Sequence, residues 1–350
     1  MRVTILAPEH PAVGRSFGIG RYLADLHVGL QERGISTQTL VVCAEGHFKL
    51  GDGEPLRCGN SHRFGFRRPQ RARAWVEQEL AKHATDLVIT SNWGGLGCAI
   101  PAGPALVVHC SSSIDDHHSS GLVQQITWTF HRRNEQRTLE RAECIIANST
   151  AMAKRTQDIY GLTASHVIPH AYRGPIVSAP SRGTDALFVG RFEHRKGIDT
   201  LLAVWSQTQT AAHLHVVGSG SLPTPPERVT VHGSLSDVQL DELRRRCSVQ
   251  LVPSRWESFG LVVLEAWAAG LVPLTSDAGG LPEVVADGGI CVPAGDTTAL
   301  ANSIDELLAN EVKRSELWHH GHTLLQQRYA ADVVLDQLLA AYASVASHRP

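Results

Sequence analysis

The sequence predicts an α/β fold of two Rossmann-like domains, each a doubly wound parallel sheet with helices on both faces. Three observations carry this expectation. Short β-branched runs alternate with longer amphipathic segments along the whole chain, the pattern of a parallel sheet covered by helices. The runs fall into two groups of about six, which suits two sheets better than one very wide one. Between the groups, residues 172–183 hold Pro, Gly and Ser without periodicity and read as a connection between domains.

The first group of strands is expected at 3–7, 37–43, 87–90, 105–109, 144–147 and 167–169. The second is expected at 186–190, 213–218, 229–233, 249–253, 272–276 and 289–293. The expected division is an N-terminal domain over 1–172, a linker over 173–182 and a C-terminal domain over 183–330. Residues 331–350 carry a last helix, in which Val334, Leu338, Ala341, Tyr342 and Val345 form one apolar stripe.

A chain of 350 residues has room for two ordinary domains, and a hydrophobic content of 43% suffices for a full core. Its 32 basic and 34 acidic residues give a net charge of −2, so nothing global calls for nucleic acid. The seven cysteines are scattered, odd in number and without a C-x-x-C pair, which fits reduced thiols in a cytoplasmic protein better than a disulfide framework. Residues 1–7 are too short for the apolar part of a leader and read as the first strand. No apolar run reaches the roughly 18 residues that a membrane span needs. The histidines lack metal-ligand spacing with cysteines or carboxylates, so no metal site is expected.

The most informative stretch is 253–273. A short apolar strand, 249–252, ends at a loop carrying Glu257, and a helix then presents Glu265. Open α/β sheets bind ligands at the carboxyl ends of their strands. Two carboxylates there can accept hydrogen bonds from several hydroxyls of a sugar or ribose. Glu265 lies among Leu261, Leu264, Trp267 and Ala268, and a carboxylate in so apolar a helix needs a partner. Upstream, another strand ends at Gly190; Arg191 follows it, and Lys196 and Gly197 open the next helix. Alone, Arg191 and Lys196 would read as solvated loop charges. Two glutamates in the corresponding place of a later strand favour a site.

Two motifs together carry a resemblance. One is E-x7-E from Glu257 to Glu265, with Phe259-Gly260 after the first glutamate and Ala266-x-Ala268-x-Gly270-x-x-Pro273 after the second. The other is G-R-x4-K-G from Gly190 to Gly197. They resemble the retaining glycosyltransferases of family 4. The resemblance implies a GT-B fold, two Rossmann-like domains facing a cleft, with the terminal helix crossing back to the first domain. It implies transfer of a sugar from a nucleotide-sugar, a UDP-sugar or GDP-mannose, to a hydroxyl of a saccharide, lipid-linked or small-molecule acceptor, in cell-surface polysaccharide or glycoconjugate synthesis. The nucleotide-sugar is a substrate, and no cofactor or metal is expected. In the family's front-face path the leaving phosphate itself takes the acceptor's proton.

The same resemblance assigns roles. Arg191 and Lys196 would grip the donor's diphosphate, where fixed cations stabilise the charge that develops on departure. Glu257 would face the transferred sugar and Glu265 the ribose hydroxyls, with Phe259, Gly260 and Leu261 beside sugar or phosphate. Val217-Gly-Ser-Gly220 resembles the family's V-G-x-G and brings Gly218 and Gly220 to the nucleotide. His232-Gly-Ser-Leu235 resembles its base-binding turn, through Gly233, Ser234 and Leu235. Ala278-Gly-Gly-Leu-Pro-Glu283 matches G-G-x-x-E on the sugar side. As residues alone, each of these turns reads first as an ordinary α/β connection.

In the first half, Gly18, Gly20 and Arg21 open a helix after the first strand. A dinucleotide reading fails there, because the turn stands too far from the strand and Leu23 occupies the third glycine's place. The family's glycine-rich loop faces donor phosphates and acceptor at this point. His109 ends a strand, where a structural histidine and one near the donor sugar are both open readings. Asn148-Ser-Thr150 resembles the family's strand-end serine. Residues 168–172 depart from its usual P-N-G-V-D. Residues 61–73 hold five arginines and two phenylalanines, which fit either a solvated surface or peripheral contact with an anionic membrane or lipid-linked acceptor. A sugar phosphorylase, a nucleotide-sugar hydrolase or a non-catalytic nucleotide-sugar binder would share the cleft. A dehydrogenase would need a nicotinamide fingerprint that the chain lacks.

Overall fold

The computed structural model of the chain describes residues 1–13, 18–42, 48–49, 55–58, 68–113 and 122–347. Met1–His170 together with Ala331–Pro350 form one compact unit, and Ala171–Ala330 form a second.

The first unit begins with β1 (Arg2–Ala7), whose residues after Arg2 are buried on both faces, as a central parallel strand requires. Next come α1 (Gly18–Glu32), β2 (Ser36–Val41), β3 (Phe48–Lys49), β4 (Pro55–Cys58), α2 (Arg68–Lys82) and β5 (Leu87–Ser91). A 3-10 segment over Trp93–Ala99 leads to β6 (Ala105–Cys110), α3 (Leu122–Glu140), β7 (Cys144–Ala147), α4 (Thr150–Tyr160) and β8 (His166–Val167). The sheet order is β3-β4-β2-β1-β5-β6-β7-β8. All neighbours pair in parallel except β3 with β4. Six of these strands coincide with the six expected runs. The added pair, β3 and β4, contains no Val, Ile or Thr, so the composition that marks the others is missing there.

The second unit contains β9 (Asp185–Val189), α5 (Ile198–Trp205), β10 (Leu214–Val217), β11 (Val229–Gly233), α6 (Asp237–Arg244) and β12 (Cys247–Val252). It continues with α7 (Leu261–Ala268), β13 (Val272–Ser276), α8 (Leu281–Val285), β14 (Ile290–Val292), α9 (Thr297–Ala309) and α10 (Glu311–Gln327). Its sheet is parallel throughout, in the order β11-β10-β9-β12-β13-β14. The chain therefore winds outward one way from β9 and the other way from β12. In such sheets the crevice at the carboxyl ends of the two strands flanking the reversal is the ligand site.

One face of this sheet packs Phe188, Val216, Val249 and Leu274 against Trp205, Ile304 and Trp318. The other packs Leu187 and Val217 against Leu243, Ala266 and Leu271. The indole N–H of Trp318 donates to the Trp267 carbonyl at 2.8 Å, and that of Trp267 to the Gly288 carbonyl at 2.7 Å, so both buried donors are satisfied. Residues 173–182 run along this unit. The Val177 N–H donates to the Ala268 carbonyl and the Ser181 N–H to the Gly270 carbonyl.

The last helix, α11 (Ala331–Ser347), belongs to the first unit. Its expected stripe of Val334, Leu338, Ala341, Tyr342 and Val345 is buried. Arg33, just beyond α1, pairs with Asp336 at 2.6 Å and Asp332 at 3.2 Å. Among the described residues, no helix is long and apolar enough to cross a membrane.

Ser149 lies at the carboxyl end of β7 and caps α4: its hydroxyl accepts the Met152 N–H at 3.0 Å, and the helix closes at Gly161 in the left-handed conformation. Ser149→Ala should cost about 1 kcal/mol of stability, read as a lower urea midpoint at unchanged slope. An unchanged midpoint would show that this buried cap contributes nothing.

Candidate functional site

The loops that follow β9 and β12 meet. Lys196, in the turn between β9 and α5, donates from Nζ to Oε2 of Glu257, which lies between β12 and α7. Glu257 is buried. Burial pushes its carboxyl upward, but Lys196, Arg195 and Arg191 outweigh that and hold it below the ordinary carboxylate range. Arg191 also pairs with Glu193 at 2.6 Å, with both side chains about one-third exposed.

Three further residues bind the two loops together. The Arg255 N–H donates to the Arg195 carbonyl at 2.8 Å, and its guanidinium donates to the His194 carbonyl at 2.6 Å. The same guanidinium grips both oxygens of Asp199, at 2.7 and 2.9 Å. Arg195 in turn donates to the Trp256 carbonyl at 3.3 Å. Nothing in the sequence signalled these pairs. Their members stand more than fifty positions apart, and each arginine is locally just another basic residue.

A third loop, after β13, completes the arrangement. The Gly280 N–H donates to the Glu257 carbonyl at 2.8 Å. Gly279, at φ +64°, lies so close that a Cβ would come within 2.1 Å of that oxygen, so only glycine fits. Glu283, one turn further on, pairs with Arg328 at 3.3 Å.

The nucleotide-side glycines are also gathered at these strand ends. Gly190 donates its N–H to Val217, and Phe192 donates to Ser219. Gly218 donates to the Gly233 carbonyl at 2.8 Å, which ties the turn holding Ser234 and Leu235 to the same edge. A Cβ on Gly218 would lie 1.8 Å from the Gly190 carbonyl oxygen. Gly260 precedes α7 with φ +98°, beside buried Phe259 and ahead of Leu261.

Glu265 is on α7, one turn beyond Leu261, and its partner is Arg244 at the end of α6, at 3.0 Å. The sequence called for a partner but did not identify it.

His109, Gly18, Gly20 and Arg21 belong to the first unit. Gly18 opens α1, the Gly20 N–H donates to Glu9 Oε1 at 3.1 Å, and Arg21 is exposed. His109 ends β6 and is 3% exposed. Its Nδ1 is bonded to the Tyr22 hydroxyl at 2.6 Å and its Nε2 to the Tyr342 hydroxyl of α11 at 2.9 Å. His170 stacks obliquely on Tyr22 and accepts at Nε2 from the Asn148 amide at 3.1 Å. Burial lowers His109 to about 3, with the neighbouring His170 ring adding to the effect, and burial likewise lowers His170 to about 3. Both rings are neutral. Of the basic segment 61–73, residues 61–67 lie outside the described residues and 68–73 begin α2. Among the described residues, no three His, Cys, Asp or Glu side chains are grouped so as to hold a metal ion.

Comparison with known proteins agrees with this architecture. Residues 18–172 match the family described as Glycosyltransferase Family 4, and residues 176–321 match Glycosyl transferases group 1. The D-inositol 3-phosphate glycosyltransferase of Xylanimonas cellulosilytica is 28% identical over 252 residues, 62% of this chain and 60% of that protein. The phosphatidyl-myo-inositol mannosyltransferase of Mycobacterium leprae is 34% identical over 182 residues, 48% of each chain. The matched stretches span 41–60% of the lengths of the first curated relatives. Among solved structures, sucrose-phosphate synthase from Thermosynechococcus elongatus superposes with a TM-score of 0.83 at 22% identity over 100% of both chains. Anabaena HepE, solved in complex with UDP-glucose, gives 0.76 at 19% identity over 98% of this chain and 100% of that one. At such identities the likeness speaks for the fold.

The buried histidines make the first unit sensitive to acid. Below the ordinary histidine pKa of 6.5 the unfolded chain takes up protons that native His109 and His170 refuse until about pH 3. Stability present at pH 7 is therefore lost as pH falls, by on the order of 2 kcal/mol per imidazole at pH 5. Urea midpoints at pH 7 and pH 5 should differ accordingly, and His109→Gln should shrink the difference. Equal midpoints for the wild type would contradict the neutral, buried assignment.

Proposed function

The chain belongs to glycosyltransferase family 4 and has the GT-B fold, and from that premise we propose that it moves a sugar from a nucleoside-diphosphate sugar to an acceptor hydroxyl with retention of configuration. A UDP-sugar or GDP-mannose is the proposed donor, and a saccharide or lipid-linked hydroxyl the proposed acceptor. The observation that carries this reading is the meeting of Lys196 and Glu257 from the two loops at the strand reversal of the second unit. A cation beside a buried carboxylate supports reading the first as a phosphate ligand and the second as an acceptor for sugar hydroxyls. The HepE complex with UDP-glucose and the inositol-linked activities named for the two curated relatives support the donor class and a hydroxyl acceptor.

The proposed chemistry follows from the charges. As the glycosidic bond breaks, negative charge grows on the departing diphosphate. An ammonium has three N–H donors, so Lys196 can keep Glu257 and still donate to a phosphate oxygen. Arg191 exchanges an exposed bond to Glu193, of small net value, for a forked grip on the diphosphate. Both cations are fixed before the bond breaks, so their effect is larger in the transition state than in the ground state. Glu257 is committed to Lys196 and is kept as an acceptor for the sugar's hydroxyls. We therefore give the leaving phosphate oxygen the acceptor's proton, while the acceptor oxygen bonds to the anomeric carbon on the face the diphosphate leaves. His109, with both nitrogens bonded to tyrosines, is given a structural part.

Thermal-shift measurements against UDP-, GDP- and ADP-sugars should identify the donor, since a ligand at a hundred times its Kd stabilises by about 2.7 kcal/mol. With that donor, Lys196→Ala should lower turnover on the order of a hundredfold, about 3 kcal/mol in the barrier. Its Tm should fall as well, because Glu257 is left unpaired, so turnover is compared at a temperature where both proteins are folded. Wild-type turnover in the variant would overturn the assignment. Diphosphate release that needs no acceptor would replace transfer with hydrolysis.

A further inference from the structure

We propose that Arg244 is a positioning residue for the nucleotide's ribose: it fixes the Glu265 carboxylate in the orientation that accepts the ribose hydroxyls. The inference rests on the reading of Glu265 as the ribose-facing carboxylate.

The geometry is that of a braced arm. Arg244 Nη2 donates to Glu265 Oε2 at 3.0 Å, and Nη1 donates to Asp241 Oδ1, one turn back on α6, also at 3.0 Å. The Arg244 side chain is 12% exposed, whereas that of Glu265 is 30% exposed and that of Asp241 49%. The guanidinium is thus held between two carboxylates, and the one on α7 remains accessible to a ligand.

Packing does not explain why an arginine stands here. Leu240 and Leu243 of α6 and Ala266 of α7, with Ala269 just beyond it, already form one apolar cluster. The Arg244 Nε–H is buried with no partner among the described residues. An unsatisfied buried donor is costly, and an apolar side chain would avoid the cost. What the arginine provides is direction. A carboxylate has room for about four hydrogen bonds, and the Arg244 contact uses one of them. Neighbouring ribose hydroxyls need two acceptors at a fixed spacing, and the bond from Nη2 to Oε2 fixes one of those oxygens while Asp241 holds the other arm of the guanidinium in place. Connectivity supports the same role. Directly after the Gly233-Ser-Leu235 turn, Ser236 and Gln239 close a reciprocal cap on α6, which fixes the helix that delivers Arg244 to Glu265.

The test compares one ligand with and without its hydroxyls. Titration calorimetry would use whichever of UDP, GDP or ADP binds the wild type most tightly, alongside its 2′,3′-dideoxy form. The wild type should prefer the ribose form on the order of tenfold or more. Arg244→Gln should reduce that preference to within about twofold and leave the dideoxy Kd unchanged. Arg244→Lys, which keeps the charge without the fork, should retain part of the preference. If Arg244→Gln weakens both forms equally, or keeps the wild-type preference, the positioning role is wrong. A circular-dichroism spectrum and urea midpoint measured beside the titrations establish that the variant is folded, so that equal weakening counts against the role. Glu265→Gln separates the two layers: if it keeps the ribose preference, the reading of Glu265 itself fails, and the role of Arg244 fails with it.

Discussion

The bond between Lys196 and Glu257 is the constraint on which the second unit's site depends. A buried carboxylate is unfavourable unless it is paired, and a lysine in a short turn has no reason to point inward unless something there attracts it. Each answers the other's requirement. The backbone is arranged around the pair: Arg255 clamps the lysine turn from one side, and the Gly279–Gly280 turn holds the glutamate's carbonyl from the other. The order β11-β10-β9-β12-β13-β14 makes this possible, because it sets the ends of β9 and β12 next to each other although more than fifty residues separate them in the chain.

Much of this was legible beforehand. Twelve strands were visible, most of them because buried parallel strands are short, apolar and β-branched. Residues such as Val249, Leu251, Val272 and Leu274 announce themselves. The β3–β4 pair was not visible, since its strands are only 2 and 4 residues long and hold no Val, Ile or Thr. Lys196 and Glu257 could be singled out because each follows a strand inside a recognisable motif. Arg195, Asp199, Arg244 and Arg255 could not. An ion pair depends on distance in space, and periodicity reports only local faces. The boundary between the units lies at His170, and the Gly- and Pro-rich segment after it is hydrogen-bonded along α7. Composition describes which residues can turn, and says little about what they lean on.

The two units place polar side chains in opposite ways. In the second, cations and carboxylates meet at loops with charges intact, from the buried Glu257 to the half-buried Arg191–Glu193 pair. In the first, the end of β6 is closed by a neutral cluster of Tyr22, His109, His170 and Tyr342, bonded ring to hydroxyl. Tyr342 gives that cluster a second purpose. It comes from α11, at the far end of the chain, so the final helix is anchored by a buried bond in addition to its apolar stripe and its ion pairs with Arg33. A histidine at a strand's carboxyl end can thus serve as a fastener for a distant helix.

The Gly279–Gly280 turn has an evolutionary corollary. It secures Glu257 through main-chain atoms alone, so the identities of the residues just beyond it are decoupled from the anchor. Leu281 is nevertheless fixed by the core it shares with Phe259 and Val263, and Glu283 by its pairing with Arg328, which leaves exposed Pro282 as the position where the turn can change. Substitution in this turn is thereby confined to its outer rim, and the inner wall behind Glu257 is set by the core.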